Sequence, residues 1–312
     1  MISLFALLTS LLAPAHARPT LGQPQLQARP DDAATGAGSS EPSKKSSLPR
    51  RTLHRIDVEG EGIGEGRSAY VWVPEGEGPF PVLFAIHGGK NRDGRDMVGK
   101  LLKAQRHDVI LVYPNGGKVA RGRGWVGPDK PEDVAEDRDV RYFRALVHTL
   151  EQRYPIQKDR MYVAGMSAGG YMTDLLWCEM SDTFAGFAVV SRAMPKVMAQ
   201  TCDVARPRPY LLMLGTADDG LKNEYQLSFE DTKAFIRKQL GCPEQPVARR
   251  TLPDKGDPLE VTHTRWTCSQ GVAFDDYEVE GGGHAWPGSG KPKPDKTVDV
   301  DATEVILEAF GL

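Results

Sequence analysis

The sequence predicts an α/β fold with a mostly parallel central sheet and helices on both faces. Three observations carry that expectation. From about residue 51 onward, strand-like and helix-like segments alternate, the signature of a sheet covered by helices. Several strands are nearly continuous apolar runs, as a strand buried on both faces must be. Finally, a glycine-rich turn, Gly165-Met166-Ser167-Ala168-Gly169-Gly170, directly follows one strand and opens a helix.

Taken in order, Arg51–Val58 and Ser68–Val73 read as antiparallel opening strands, the second rich in β-formers at Tyr70, Val71, Trp72 and Val73. Phe80 to Ile86 is a buried strand. Asp108 to Tyr113 repeats that character and stops at the turn cluster Pro114-Asn115-Gly116-Gly117. Val140, Phe143, Leu146, Val147, Leu150 and Tyr154 recur at helical spacing. Glu136, Asp137 and Asp139 sit near the start of that helix, where negative charge suits the dipole, and Pro155 ends it. Met161–Ala164 is a short strand before the glycine turn, and Phe187–Ser191 and Tyr210–Leu214 are further buried strands. Phe229, Phe235, Ile236 and Leu240 mark a helix stopped at Gly241. Val272–Val279 is the last strand. Asp301 with Glu304 then resembles a capping box opening a final helix.

Residues 1–17 read as a cleaved secretory leader, with an apolar stretch from Ile2 to Leu12 and small residues ending at Ala15-His16-Ala17. Residues 18–50 are rich in Pro, Ala, Gly, Ser and charge. Such a segment cannot bury enough surface to offset its ordering entropy, so it is expected to be a disordered linker. Residues 51–312 form the expected catalytic domain. The formal net charge of −3 gives no basic excess for nucleic acid or anionic lipid. No apolar run after residue 17 approaches the roughly 20 residues a membrane span needs. Cys178, Cys202, Cys242 and Cys268 lack C-x-x-C spacing, and an even count in an exported chain favours disulfides. Four cysteines allow three pairings. The preferred one joins Cys178 to Cys202 and Cys242 to Cys268, each closing about 25 residues, worth roughly 3 kcal/mol.

Gly165-x-Ser167-x-Gly169 is the motif with chemical content. Between a strand and a helix it forces the serine into a tight turn that lifts its hydroxyl clear of the sheet, with free N–H groups of the helix start aimed at it. A serine hydroxyl is a poor nucleophile until a base lies within hydrogen-bond reach. Of seven histidines, His284 stands out. It sits in Gly281-Gly282-Gly283-His284-Ala285-Trp286-Pro287-Gly288, a loop just beyond the last expected strand. The acid that orients it is expected between the two in chain order. Leu211 to Leu214 is a buried strand whose end leads to Asp218 and Asp219, both candidates. An oxyanion hole would combine the Ala168 N–H with one from His87-Gly88-Gly89-Lys90, either Gly89 or Lys90. Trp125 and Trp286 are candidates to line a substrate pocket. Clustered metal-ligand spacing is absent and Gly288-Ser289-Gly290-Lys291 lacks the phosphate-loop spacing, so neither metal nor cofactor is expected.

His87-Gly88, Tyr113-Pro114-Asn115-Gly116, Gly165-Met166-Ser167-Ala168-Gly169-Gly170-Tyr171-Met172-Thr173, Gly215-Thr216-Ala217-Asp218 and Gly281-Gly282-Gly283-His284-x-Trp286-Pro287-Gly288 occur together and in this order. Over about residues 55–312 the chain therefore resembles the polyhydroxybutyrate depolymerase, feruloyl esterase and acetylxylan esterase group of secreted α/β-hydrolases. The resemblance implies the α/β-hydrolase fold, a triad of Ser167, Asp218 and His284, both sequential disulfides, and a secreted serine esterase acting on a carboxylic ester. It departs from the group at Gly89, where members often have Cys, at Leu214 and Asp219-Gly220-Leu221, and in the charged stretch Arg121–Asp133. These departures bear on which ester is the substrate. A peptidase or amidase with the same triad, and a non-catalytic polymer-binding protein, are the alternatives; the intact triad argues against the second.

Overall fold

A ten-stranded mixed sheet organises the protein. The computed structural model describes residues 52–89, 92–119, 122–126, 138–289 and 293–312, all within the unit Leu48–Leu312. The leader expected at residues 1–17 and the linker at 18–50 lie outside the described residues.

The elements run β1 (Leu53–Asp57), β2 (Ser68–Trp72), β3 (Phe80–Ile86), α1 (Arg95–Val98), β4 (Ile110–Pro114), a small hairpin of β5 (Gly117–Val119) and β6 (Gly122–Gly124), then α2 (Arg138–Arg153). They continue with β7 (Ile156–Met166), α3 (Ala168–Met180), β8 (Gly186–Val190), α4 (Lys196–Thr201), β9 (Tyr210–Gly215), α5 (Phe229–Leu240), β10 (Ala248–Thr251), β11 (Glu260–Thr267), β12 (Ala273–Glu280) and α6 (Ala302–Phe310). The strand order across the sheet is β1-β2-β4-β3-β7-β8-β9-β12-β11-β10. From β4 through β12 every neighbouring pair is parallel, while β1, β2, β10 and β11 pair antiparallel at the two margins.

The apolar run of β3 explains why it is central. Successive side chains of a strand point to opposite faces. Val82, Phe84 and Ile86 face a layer built from Phe143, Leu146 and Leu150 of α2, Leu176 and Trp177 of α3, and Ile236 and Leu240 of α5. Leu83 and Ala85 face the other layer, with Met97 of α1 and Ile306, Leu307 and Phe310 of α6. Each fully buried aliphatic side chain of this kind contributes about 1.5–3 kcal/mol. Helices thus cover both faces, and the fold is the expected mostly parallel α/β sheet.

Helix ends follow local chemistry. Ser228 Oγ accepts the Asp231 N–H at 3.0 Å to start α5, and Gly241 (φ 63°) closes it in the left-handed region. Asp301 caps α6 by accepting the Thr303 and Glu304 N–H groups at 2.9 and 3.2 Å. The disulfides join Cys178 of α3 to Cys202 at the end of α4, and Cys242 just after α5 to Cys268 between β11 and β12. Among the described residues, no helix is long and apolar enough to cross a membrane.

Three differences from the sequence reading have a clear physical reason. Strand β7 begins at Ile156 rather than Met161, because its polar first half (Gln157, Lys158, Asp159) sits at the protein edge with little to bury. The β10–β11 hairpin was not legible, since the four residues of β10 are all exposed and carry no apolar period. Asp139, read as a dipole partner, is buried and forms a 2.7 Å ion pair with Arg67.

Candidate active site

Strand β7 delivers Gly165, Met166 and then Ser167, the residue immediately before α3. Ser167 has φ 60° and ψ −120°, a conformation costly for a residue with a side chain. It is held there by backbone bonds on both sides: its N–H donates to the Val190 carbonyl and its carbonyl accepts the Tyr171 N–H, each at 3.0 Å. The flanking glycines are required by space. A Cβ on Gly165 would stand 2.1 Å from the Gly169 carbonyl oxygen, and one on Gly169 would stand 2.1 Å from the Ile86 carbonyl oxygen. The start of α3 is therefore pressed against β3 and β7. Ala168, its first residue, has no intrahelical partner for its N–H.

The loop after β3 lies over this turn. A Cβ on Gly88 would fall 2.7 Å from the Met166 carbonyl oxygen and 2.8 Å from Ser167 Cβ. Gly89 takes φ 72°, which favours glycine. His87 anchors the loop from below: it is fully buried, and its Nε2 accepts the Gly116 N–H at 3.1 Å. Burial holds its imidazole below the ordinary histidine range, which keeps it neutral and able to accept. The Trp125 indole N–H donates to the His87 carbonyl at 2.8 Å, and the ring packs beside Tyr142 and Phe143. Trp125, a candidate for the pocket wall, is buried, and its indole finds its partner in the backbone beneath the site.

Asp218 and His284 come from the loops after β9 and β12. Those strands are parallel neighbours, so their loops emerge side by side. The loops are bonded to one another: Ala217 N–H donates to the Gly282 carbonyl and Gly281 N–H to Thr216 Oγ1, both at 2.9 Å. A Cβ on Gly215 would stand 2.3 Å from the Gly282 carbonyl oxygen, so the close approach needs glycine. The result is a 2.7 Å contact between His284 Nδ1 and Asp218 Oδ2. The Asp218 side chain is 1% exposed while that of His284 is 43% exposed. With Nδ1 donating to this carboxylate, a neutral imidazole presents Nε2 with its lone pair. Asp219, the other candidate acid, points to solvent and pairs with Lys222 at 3.0 Å.

Ser167 and His284 line one cleft of about 420 Å³ together with Gly88, Gly89 and Trp286. Trp286 is otherwise buried and donates its indole N–H to Thr303 Oγ1 at 3.1 Å. Lys90 and most of the charged stretch 121–133 lie outside the described residues. The cleft also takes in Met97 and Lys100, from α1 and just after it, which no motif announces. Among the described residues, no group of three or more His, Cys, Asp or Glu side chains could hold a metal ion.

Such an elbow and acid–imidazole pair, at the same end of a mostly parallel sheet, define an α/β-hydrolase fold. No family model matches the chain. It is 26% identical over 226 residues to the bifunctional acetylxylan esterase/xylanase XynS20E of Neocallimastix patriciarum, covering 71% of this chain and 31% of that protein. It is 29% identical over 245 residues to the putative esterase NocK of Nocardia uniformis, covering 70% of this chain and 68% of that protein. Other relatives are named feruloyl esterase B and poly(3-hydroxybutyrate) depolymerase. The chain spans about a third of the length of XynS20E and of feruloyl esterase B. In three dimensions it resembles the acetyl xylan esterase of Aspergillus awamori, with a TM-score of 0.57 and 15% identity over 83% of this chain and 99% of that one. The homologues are thus carboxylic ester hydrolases of the acetylxylan esterase, feruloyl esterase and polyhydroxybutyrate depolymerase group.

Proposed function

We propose that this protein is an exported serine esterase that cleaves carboxylic esters through an acyl-enzyme formed on Ser167. The observation that carries the reading is the arrangement around one cleft: a strained serine at a strand–helix turn, and an exposed imidazole whose far nitrogen is bonded to a buried carboxylate at 2.7 Å.

In this reading His284 Nε2 takes the Ser167 hydroxyl proton as the oxygen attacks the ester carbonyl. Asp218 keeps the imidazole in the tautomer that presents Nε2 and stabilises the imidazolium. The N–H groups of Ala168 and Gly89 bind the oxyanion; losing one such donor costs about 2.7–4 kcal/mol of transition-state stabilisation. His284 then returns the proton to the departing alcohol. Water, deprotonated by the same nitrogen, attacks the acyl-enzyme and releases the acid. No cofactor enters the cycle. Export is supported by the two disulfides, which persist in oxidising compartments, and by the leader-like residues 1–17. The names of the relatives suggest plant cell-wall esters or hydroxyalkanoate esters as the substrate class.

The test is turnover of a matched pair, 4-nitrophenyl acetate and 4-nitroacetanilide, by wild type and Ser167→Ala. The reading predicts ester turnover far above that of the anilide, lost in the variant. Faster anilide turnover would instead make the protein an amidase, and wild-type turnover in Ser167→Ala would remove the serine from its role.

A further inference from the structure

The cleft holding Ser167 and His284 is unevenly charged. Its described walls carry four cations, Arg92, Lys100, Lys293 and Lys296, against two carboxylates, Asp96 and Asp295. The chain as a whole has the opposite balance, 39 basic against 42 acidic residues. The surplus is therefore a property of the cleft and not of the composition.

Neither carboxylate forms an ion pair with a lysine among the described residues. Asp96 lies 3.5 Å from Arg92, and Asp295 is folded against Gly283, where a Cβ would stand 2.7 Å from its Oδ2. Lys100 and Lys296 have no carboxylate at ion-pair distance among the described residues. Their ammonium groups bond instead to neutral backbone oxygens, Lys100 to the Asp96 carbonyl at 3.0 Å and Lys296 to that of Ser289. Burial, with added repulsion from Arg92 and Lys296, draws the Lys100 ammonium below the ordinary lysine range, and Asp96 offsets this only in part. Burial and the neighbouring Lys293 do the same to Lys296, with Asp295 offsetting them only in part. Partly buried like charges facing one cleft are relieved by an anion that accepts from both.

We infer that the cleft takes esters carrying a separate carboxylate, which Lys100 and Lys296 hold while Ser167 attacks the ester carbonyl. The inference rests on the esterase reading and narrows its substrate class to acidic esters, such as the monoester of a dicarboxylic acid or the ester of a carboxylated alcohol.

The experiment compares kcat/KM of the full chain for isosteric pairs in which carboxylate is replaced by carboxamide. One arm places the group on the acyl side (mono-4-nitrophenyl glutarate against 4-nitrophenyl 4-carbamoylbutanoate). The other places it on the alcohol side (4-carboxyphenyl acetate against 4-carbamoylphenyl acetate). Each rate is normalised to alkaline hydrolysis of the same ester. At low ionic strength the carboxylate is expected to be preferred about tenfold in one arm, carried mainly by KM. In 1 M NaCl, where screening acts over about 3 Å, that ratio falls toward one in the wild type. It falls likewise in Lys100→Gln and Lys296→Gln. A ratio at or below one in both arms, or a preference that salt and both substitutions leave intact, overturns the inference while the esterase reading stands. No turnover of any of the four esters would strike the esterase reading itself, and this inference with it.

Discussion

Asp218 Oδ2 and His284 Nδ1 lie 2.7 Å apart although 66 residues separate them in the chain. The contact exists because β9 and β12 are parallel neighbours whose loops are bonded to each other, and because Gly215 leaves room for the Gly282 carbonyl. Replacing the carboxylate by an amide keeps the size and removes the charge. Asp218→Asn is expected to fold normally and to lose about 10⁴-fold in kcat on an activated ester, since the amide favours the wrong tautomer. Activity within tenfold of wild type would move the orienting role elsewhere.

The glycines around Ser167 divide sharply by what surrounds them. Gly169→Ala would drive a methyl into the Ile86 carbonyl at 2.1 Å, so it is expected to destabilise by at least about 1–3 kcal/mol and to displace the elbow. Gly99, in a right-handed conformation with nothing within 4 Å of a Cβ, is the counterpart. Gly99→Ala is expected to stabilise by about 0.4–1 kcal/mol by restricting the unfolded chain. Urea unfolding midpoints of the two variants check both signs.

Much of the candidate site's placement in the fold was legible in the sequence because local rules enforce it. Ser167 is fixed by a strand, two glycines and a helix start within six residues, and His284 follows the last strand. Asp218 was separated from Asp219 only by a family resemblance, since adjacent aspartates differ in burial through their turn and not through composition. The place of Trp125 was open for the opposite reason. An aromatic in a charged loop looks like a ligand contact, and only the fold shows its indole beneath the His87 backbone. The cationic wall was also hidden, because Lys100 and Lys296 are 196 positions apart and come from segments without a motif. The β10–β11 hairpin escaped notice because an exposed edge strand such as Ala248–Thr251 has no buried face to impose a pattern.

Asp174 of α3 is fully enclosed, accepts the Tyr210 hydroxyl at 2.5 Å, and is pushed up by burial to about 7, a rise that Tyr210 and Arg192 only partly offset. Between the unfolded carboxyl value, about 3.9, and about 7, the folded state holds a proton that the unfolded state has released. Stability from this group is therefore greatest at the acid end and falls as pH rises toward 7. Asp276, which burial raises to about 6 despite Lys233, contributes with the same sign. Relative to wild type, Asp174→Asn is expected to gain stability between pH 5 and pH 8 in urea titrations. A difference that stays constant over that range would contradict the burial argument.

The disulfide between Cys242 and Cys268 closes a loop of 26 residues that contains the β10–β11 hairpin. Replacing both cysteines by alanine is expected to cost about 3 kcal/mol in the chain-entropy picture, read as a lower denaturation midpoint with an unchanged native spectrum. An unaltered midpoint would show that the hairpin is held by its sheet bonds alone.

The central claim is that one serine is made nucleophilic by its surroundings. The direct measurement is labelling of the folded protein with a fluorophosphonate, followed by mass spectrometry of its peptides. The account predicts one adduct per chain, on Ser167, with ester hydrolysis lost in proportion to labelling and no adduct after denaturation. An adduct on another residue, or full activity retained by protein labelled at Ser167, would contradict it.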